Sequence, residues 1–415
     1  MLGVWIAFCS NDGRADLHSQ NEMSHQNTFI PHKPISSFGR YLLWTSLDKA
    51  LIKATIMIRS NVSRVLTFVV ALSMLALQGC FFGGGGFKET GQDGELTGVV
   101  DREGWVQTIP YGMTSVPSGT FHMGQADEDI TSSKINMNKQ VTIGGFYMDE
   151  TEITNNEYRQ FMHAYLGDPN DPSGGEGIAD TSAVWTREAV MDQLYPDTSV
   201  WVTDFTHHMG DPMTQYYYMH PAFDNYPVVG ITWDAAKEFC SWRTLHMNKF
   251  REEEGLFKMP NFRLPSEAEW EYASRGGRDM AKYPWGGPYL RNGKGCALAN
   301  FKPGRGNYYD DGFQYTSPAG AYFANDYGLY DMAGNTAEWC EDAFHPASFP
   351  IVWDLNPTYF DENERRKVIR GGSWKDIAFY VETGTRNYEY QDTSRSFIGF
   401  RCVMTYLGRS SGYEF

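Results

Sequence analysis

From Tyr111 onward, apolar and polar residues alternate in short runs, each closed by a turn residue. Val116 to Gly124 alternates and ends on glycine, as a strand entering a turn does. Val141 to Met148 reads as a second strand. The period then lengthens. Thr154-Asn155-Asn156-Glu157 is a capping box, with the threonine hydroxyl and the glutamate each placed to take a backbone N–H. The helix it opens carries Tyr158, Phe161 and Met162 on one face. Pro227 to Ile231 reads as a short strand. Thr232 caps a helix running to about Met247, burying Ala236, Phe239, Cys240 and Met247. Ser266 and Glu269 form a second capping box inside RLPSEAEWEYA. Loops and short strands follow to the end. Helical periodicity rarely lasts beyond about a dozen residues, so long helices are not expected. There is no internal repeat.

Residues 163–226 break this rhythm. They hold Gly174-Gly175, Asp168-Pro169, Asp171-Pro172 and many aromatics, and read as an insertion rather than a second domain. The segment includes Trp201, Phe205 and the run Tyr216-Tyr217-Tyr218. Tyrosine and tryptophan are enriched at protein interfaces, while packing onto the core accounts for half or more of such rings.

The N-terminal part has a different character. Arg59 and Arg64 precede a 13-residue apolar stretch, Val65 to Leu77, and then Leu77-Gln78-Gly79-Cys80. This predicts a lipoprotein signal peptide over 57–79, cleaved before a lipidated Cys80. A membrane anchor is the alternative, but 13 residues fall short of the roughly 20 that span a bilayer. Residues 1–56 show no periodicity, and we read them as lying upstream of a native start at Met57. Residues 80–104, with four glycines in a row at 83–86, read as a flexible tether, and 105–415 as the folded domain.

Composition narrows the functional classes. With 15% aromatic and 41% hydrophobic residues the chain has ample material for a core. The net charge is −16, and residues 1–79 are themselves basic, so the part after the signal is more acidic still. That argues against binding nucleic acid. An exported address permits disulfides. Apart from Cys80, the predicted mature chain has Cys240, Cys296, Cys340 and Cys402; three pairings are open, as are four buried thiols.

Several motifs occur in a fixed order: FHMG, DETEITNNEY, PVVGITWDAAKEFCSW, RLPSEAEWEYASRGG, GLYDMAGNTAEW, RGGSW and IGFRC. Together they resemble the formylglycine-generating (sulfatase-modifying) enzyme family across about 111–404. The resemblance implies an α+β fold related to C-type lectins, with little regular secondary structure. It also implies a Cys240–Cys402 disulfide, leaving Cys296–Cys340 as the remaining pair.

Active members of that family follow GGS-Trp/Tyr with two copper-binding cysteines. The matching positions here are Asp376 and Val381. Thiolates select Cu(I), and a carboxylate with an isopropyl group supplies no soft ligand, so no copper is expected. The expectation is a pseudoenzyme. His207, His208 and His220 read as loop histidines rather than an iron site. For calcium, the resemblance implies two loops. One would use the side chains of Asn300 and Asp311 with the carbonyls of Phe301 and Phe313. The other would use Asp331 and Glu338 with the carbonyls of Gly334 and Thr336. Mixed oxygen donors in glycine-bearing loops suit that ion, although such sequences also form ordinary turns.

The lipobox, the missing thiols, the long insertion and the GGSW…GTR…IGFRC ending resemble the K-type lipoproteins of the type IX secretion and gliding-motility machinery, with a J-type paralogue sharing the domain. That resemblance implies an outer-membrane lipoprotein facing the periplasm. It would form a large ring from copies of itself and a soluble partner, the N component. Two alternatives remain: an enzyme with altered chemistry at Asp376, and a lectin-like module binding glycan or peptidoglycan.

Overall fold

The short alternating runs pair into three small sheets rather than one. The computed structural model describes residues 105, 107–124, 138–167, 186–204, 210–304 and 307–408. The predicted signal, Cys80 and the tether lie outside these residues. From residue 107 onward the described residues belong to one compact unit.

β2 (Gly119–Met123) lies within the strand predicted from Val116 to Gly124, and β1 (Met113–Val116) precedes it across a break at Pro117-Ser118. β3 (Lys139–Ile143) and β4 (Phe146–Asp149) share one predicted run, broken at Gly144-Gly145. One break lets β2 pair with β3, the other lets β1 pair with β4. β5 (Phe262–Arg263) and β10 (Val403–Thr405) complete an antiparallel sheet in the order β1-β4-β10-β5. Every residue of β4 is buried, as its place between two partners requires. β6 (Ala337–Ala343), β7 (Arg366–Arg370), β8 (Asn387–Tyr390) and β9 (Ile398–Gly399) form the third sheet, ordered β8-β7-β6-β9, with β9 parallel to β6.

α1 (Asn155–Leu166) begins at the predicted capping box and buries Tyr158, Phe161 and Met162 as expected. The second box opens α6 (Glu267–Arg275), and both reciprocal bonds are present there too. α2 (Arg187–Gln193), α3 (Val200–Thr203) and α4 (Met213–Tyr216) are short turns within the insertion. Two sequence expectations need correction. α5 (Trp233–Glu253) has 21 residues, so one long helix exists. Its last two turns are solvent-facing and carry no apolar stripe, and Met247 is only half-buried. Residues 227–231 form no strand: Pro227 makes an isolated bridge to Thr154, and the Gly230 N–H reaches Arg395 O at 2.9 Å instead of a ladder. Among the described residues, no helix is long and apolar enough to cross a membrane.

β8 is a sheet edge. Gln391 N–H bonds Arg365 O, so by antiparallel alternation the amides of Tyr388 and Tyr390 face outward. Each is taken by the side chain before it: Asn387 Oδ1 at 2.9 Å and Glu389 Oε1 at 3.1 Å. The outward donors of this edge are thus covered by the chain's own side chains.

Candidate functional site

Every residue of α6 is buried, four charged ones included. Buried charges persist only when paired and hydrogen-bonded. Glu271 accepts from Arg275 Nη2 at 2.6 Å and from Gly124 N–H at 2.7 Å, and it also pairs with Arg370. Arg370 donates onward to the carbonyls of Thr383 and Thr385. Arg386 Nη2 reaches Glu267 Oε2 at 2.8 Å. Glu338 takes two bonds from Arg401, at 2.7 and 2.6 Å, and one from Trp270 Nε1 at 2.7 Å. Through Arg370, this network anchors the strand that leads into the GGSW segment.

The segment turns sharply at its glycines. Gly372 has φ +66°, and a Cβ there would lie 2.5 Å from Tyr380 O. The turn brings 373–376 against 380–381. Ser373 Oγ donates to Asp376 Oδ2 at 2.6 Å, and Asp376 O accepts from Lys302 N–H at 2.8 Å. Val381 is fully buried with Tyr283, Ala299, Phe301 and Ala333. A hydrogen-bonded carboxylate and a packed valine do not fit a Cu(I) centre.

In front of the turn is a pocket of about 150 Å³, lined by Gly372, Lys375, Asp376, Asn387, Tyr388 and Phe397, among others. The Lys375 ammonium sits 3.1 Å from the centroid of the Phe397 ring. It has no hydrogen bond or ion pair among the described residues. Burial pushes it below the ordinary lysine value, against the pull of Asp376 and Asp204. Nothing in the sequence marked Lys375 except its place beside Asp376.

The insertion closes the other side of the signature. Trp201 stacks on Trp374, with ring centroids 6.1 Å apart and 21° between planes. Tyr315 meets the same tryptophan edge-on at 5.2 Å. Val200, Trp201, Met213 and Tyr217 form a cluster with Trp374. Asp204 accepts from the N–H and the hydroxyl of Ser396, at 2.9 and 2.7 Å. Among the insertion's aromatics, Trp201, Tyr217 and Tyr218 pack inward, while Tyr216 is exposed. His220 Nδ1 accepts from Ala222 N–H, a turn role; His207 and His208 lie outside the described residues.

In the two loops expected to hold calcium, the Asp311 and Glu338 carboxylates are hydrogen-bonded within the protein. Asp311 accepts from the N–H groups of Phe301 and Phe313, both at 3.2 Å. Asn300 Nδ2 donates to Tyr315 O at 2.8 Å. In the second loop Glu338 is spent on Arg401, and Glu152, unmarked in the sequence, accepts from Thr336 N–H and Oγ1 at 2.9 and 2.6 Å. Gly334 approaches Asn300 so closely that a Cβ would lie 2.1 Å from its carbonyl oxygen. Asp331 keeps one oxygen, Oδ1, buried without a partner. Burial pushes Asp311 and Asp331 each up to about 6. Among the described residues no group of three or more His, Cys, Asp or Glu side chains is placed to hold a metal ion.

The cysteine pairings also differ. Cys240 and Cys402 meet as expected, but as buried thiols with sulfurs 3.5 Å apart, well beyond the roughly 2 Å of an S–S bond. Cys340 is a free buried thiol whereas Cys296 is disulfide-bonded, so the Cys296–Cys340 pair is absent. Cys340 lies inside the core cluster with Trp270 and Val368, which leaves it no route to a surface loop.

The mixed sheets and helices described above are the α+β fold of the formylglycine-generating enzymes. The sulfatase-modifying factor enzyme 1-like domain matches residues 105–406, and the chain belongs to that family. It is 29% identical over 307 residues to the formylglycine-generating enzyme of Mus musculus, covering 71% of this chain and 75% of that protein. The enzyme of Thermomonospora curvata is 29% identical over 316 residues, covering 72% and 94%. The inactive C-alpha-formylglycine-generating enzyme 2 of Mus musculus is 27% identical over 305 residues, covering 70% and 85%. Among solved structures, PvdO from Pseudomonas aeruginosa matches at 22% identity with a TM-score of 0.48, covering 71% of this chain and 94% of that one.

Proposed function

We propose that this chain is a non-catalytic scaffold: a lipoprotein of the type IX secretion and gliding-motility machinery, anchored through Cys80 on the periplasmic side of the outer membrane. It assembles with copies of itself and a soluble partner into a ring. The observation that carries this reading is the substitution of chemistry at an intact frame. The charged residues behind the GGSW turn are paired, while Asp376 is bonded to Ser373 and Val381 is buried in the core. A frame that keeps its folding residues without the soft ligands supports binding rather than oxidation. The insertion adds support, since Trp201 occupies one face of Trp374 and leaves Tyr216 and Met219 exposed for a partner.

The test is a mild-detergent purification of the tagged protein from its own envelope, followed by mass spectrometry and negative-stain imaging. A large ring containing a stoichiometric second protein is expected. A monodisperse monomer without partner overturns the reading. A Cys80→Ala variant should leave the membrane fraction, and unchanged fractionation sinks the lipid anchor.

A further inference from the structure

We infer that the pocket beside the glycine turn receives the α-carboxylate of an amino acid or of a peptide's C-terminus, with Lys375 and Asn387 as its donors. The pocket stands whether or not the chain assembles into a ring.

Three observations bear on the charge of that ligand. First, the donors are unspent. Lys375 lines the pocket and its N–H groups find no acceptor; the Phe397 ring attracts the cation but takes no conventional hydrogen bond from it. Asn387 Oδ1 is fixed by the Tyr388 N–H, so its Nδ2 is the remaining donor, and it has no partner among the described residues. Second, nearby acids are engaged elsewhere. Glu389 binds Arg395 Nε at 3.0 Å, Asp204 binds Ser396, and Asp376 takes the Ser373 hydroxyl. These three acids outnumber Lys375 and Arg395 by one charge, so a dianion such as phosphate is disfavoured more strongly than a single carboxylate that bonds Lys375 directly. Third, the lysine is half-buried, with its charged form already penalised by burial, and a carboxylate partner offsets that penalty.

Size and edge geometry choose a chain end over an internal segment. About 150 Å³ is room for roughly five water-sized groups, enough for a carboxylate and a short side chain. An extended peptide lying along β8 would need the outward amides of Tyr388 and Tyr390, and both are occupied by the chain's own side chains. Tyr380 and Tyr388 flank the opening, both about two-fifths exposed.

The experiment uses the full chain in detergent and a set of N-acetyl dipeptides carrying each of the twenty C-terminal residues. Each is presented as the free acid and as the amide, and binding is followed by calorimetry. At least one acid should bind ten-fold or more tightly than its amide. Lys375→Met should lose that preference while keeping the wild-type melting temperature. Lys375→Gln serves as the second variant should methionine disturb packing against Phe397. Free amino acids binding as well as the dipeptides would identify the source as a free amino acid; dipeptides binding alone would identify a chain end. Acid and amide binding alike, no binding by any acid, or full preference retained in both lysine variants overturns the assignment.

Discussion

Behind the glycine turn, Glu271, Arg275, Arg370 and Arg401 are almost wholly buried and each is paired in a dense set of hydrogen bonds. In front of it, a few residues away, Lys375 has no ionic partner among the described residues and the Asp376 carboxylate bonds only to nearby Ser373. The two regions flank one segment, yet they answer to different demands. The back is needed for folding, because an unpaired charge there is ruinous. The front is partly solvated, so its residues can change with little penalty to the fold. A scaffold of this kind can shed or exchange its chemistry while keeping its shape.

The largest expected effect tests the back. Arg401 gives two bonds to Glu338 and further bonds to the carbonyls of Asp149, Glu150 and Tyr330. Arg401→Met should cost about 3–5 kcal/mol in denaturant unfolding, because Glu338 is left buried and unpaired. A loss below about 1 kcal/mol would mean that the network does not carry the frame. Next comes the latch between insertion and signature. Trp201→Ala removes a ring packed on Trp374 and Tyr217 and should cost about 3 kcal/mol. If the latch also shields the front, limited proteolysis should now cut within 186–226 before the rest of the chain. Cutting elsewhere first would separate insertion from signature.

Both capping boxes and the apolar face of α1 were legible because they depend on residues three or four apart. The ordered motifs made the family legible, and the absent thiols could be read directly at Asp376 and Val381. What the sequence hid was non-local. Lys375 is noteworthy only once Phe397 and Asn387 have folded beside it. Trp201 faces Trp374 across 173 positions of chain, and no periodicity links them. The Cys240–Cys402 contact came from the family resemblance, but its thiol state depends on sulfur positions that spacing does not encode. The calcium loops are a further case: their donor residues are legible in the sequence, but the pairing of Glu338 with Arg401 and of Asp311 with local amides is not.

A pH test sharpens the contrast from the back. Asp342 accepts the N–H groups of Glu267 and Tyr359, at 2.7 and 2.6 Å, yet burial and the nearby Glu267 carboxylate push it up to about 7. A folded-state value above the unfolded one means that the folded protein binds the extra proton. Its contribution is therefore fully present below about pH 4 and is lost as pH rises toward about 7. Glu269, lowered chiefly by Arg263 against its own burial, acts in the opposite direction and loses its contribution as pH falls. Comparing wild type with Asp342→Asn isolates the first group. The variant pays for one mismatched amide at every pH, but its stability profile between about pH 4 and 7 should be flatter by on the order of 2 kcal/mol. Parallel profiles would remove Asp342 from the account.

The smallest effect belongs to the front, and its smallness is the point. Asp376 is half-buried and holds Ser373 through one side-chain bond. Asp376→Ala should shift unfolding by only about 1 kcal/mol, the low end for a buried hydroxyl left without its acceptor, because only the Ser373 bond is lost and the half-buried 376 side chain can be replaced by water. In cells the same variant should support secretion as well as wild type does, since the proposed scaffold performs no chemistry there. If secretion fails while stability and ring assembly are intact, the front of the signature does more than face solvent. The reading of an enzyme with altered chemistry at Asp376 then displaces the scaffold. Retained secretion in Asp376→Ala together with a collapsed Arg401→Met would leave the two regions as different as their structures make them: one that the fold cannot lose, and one that it can.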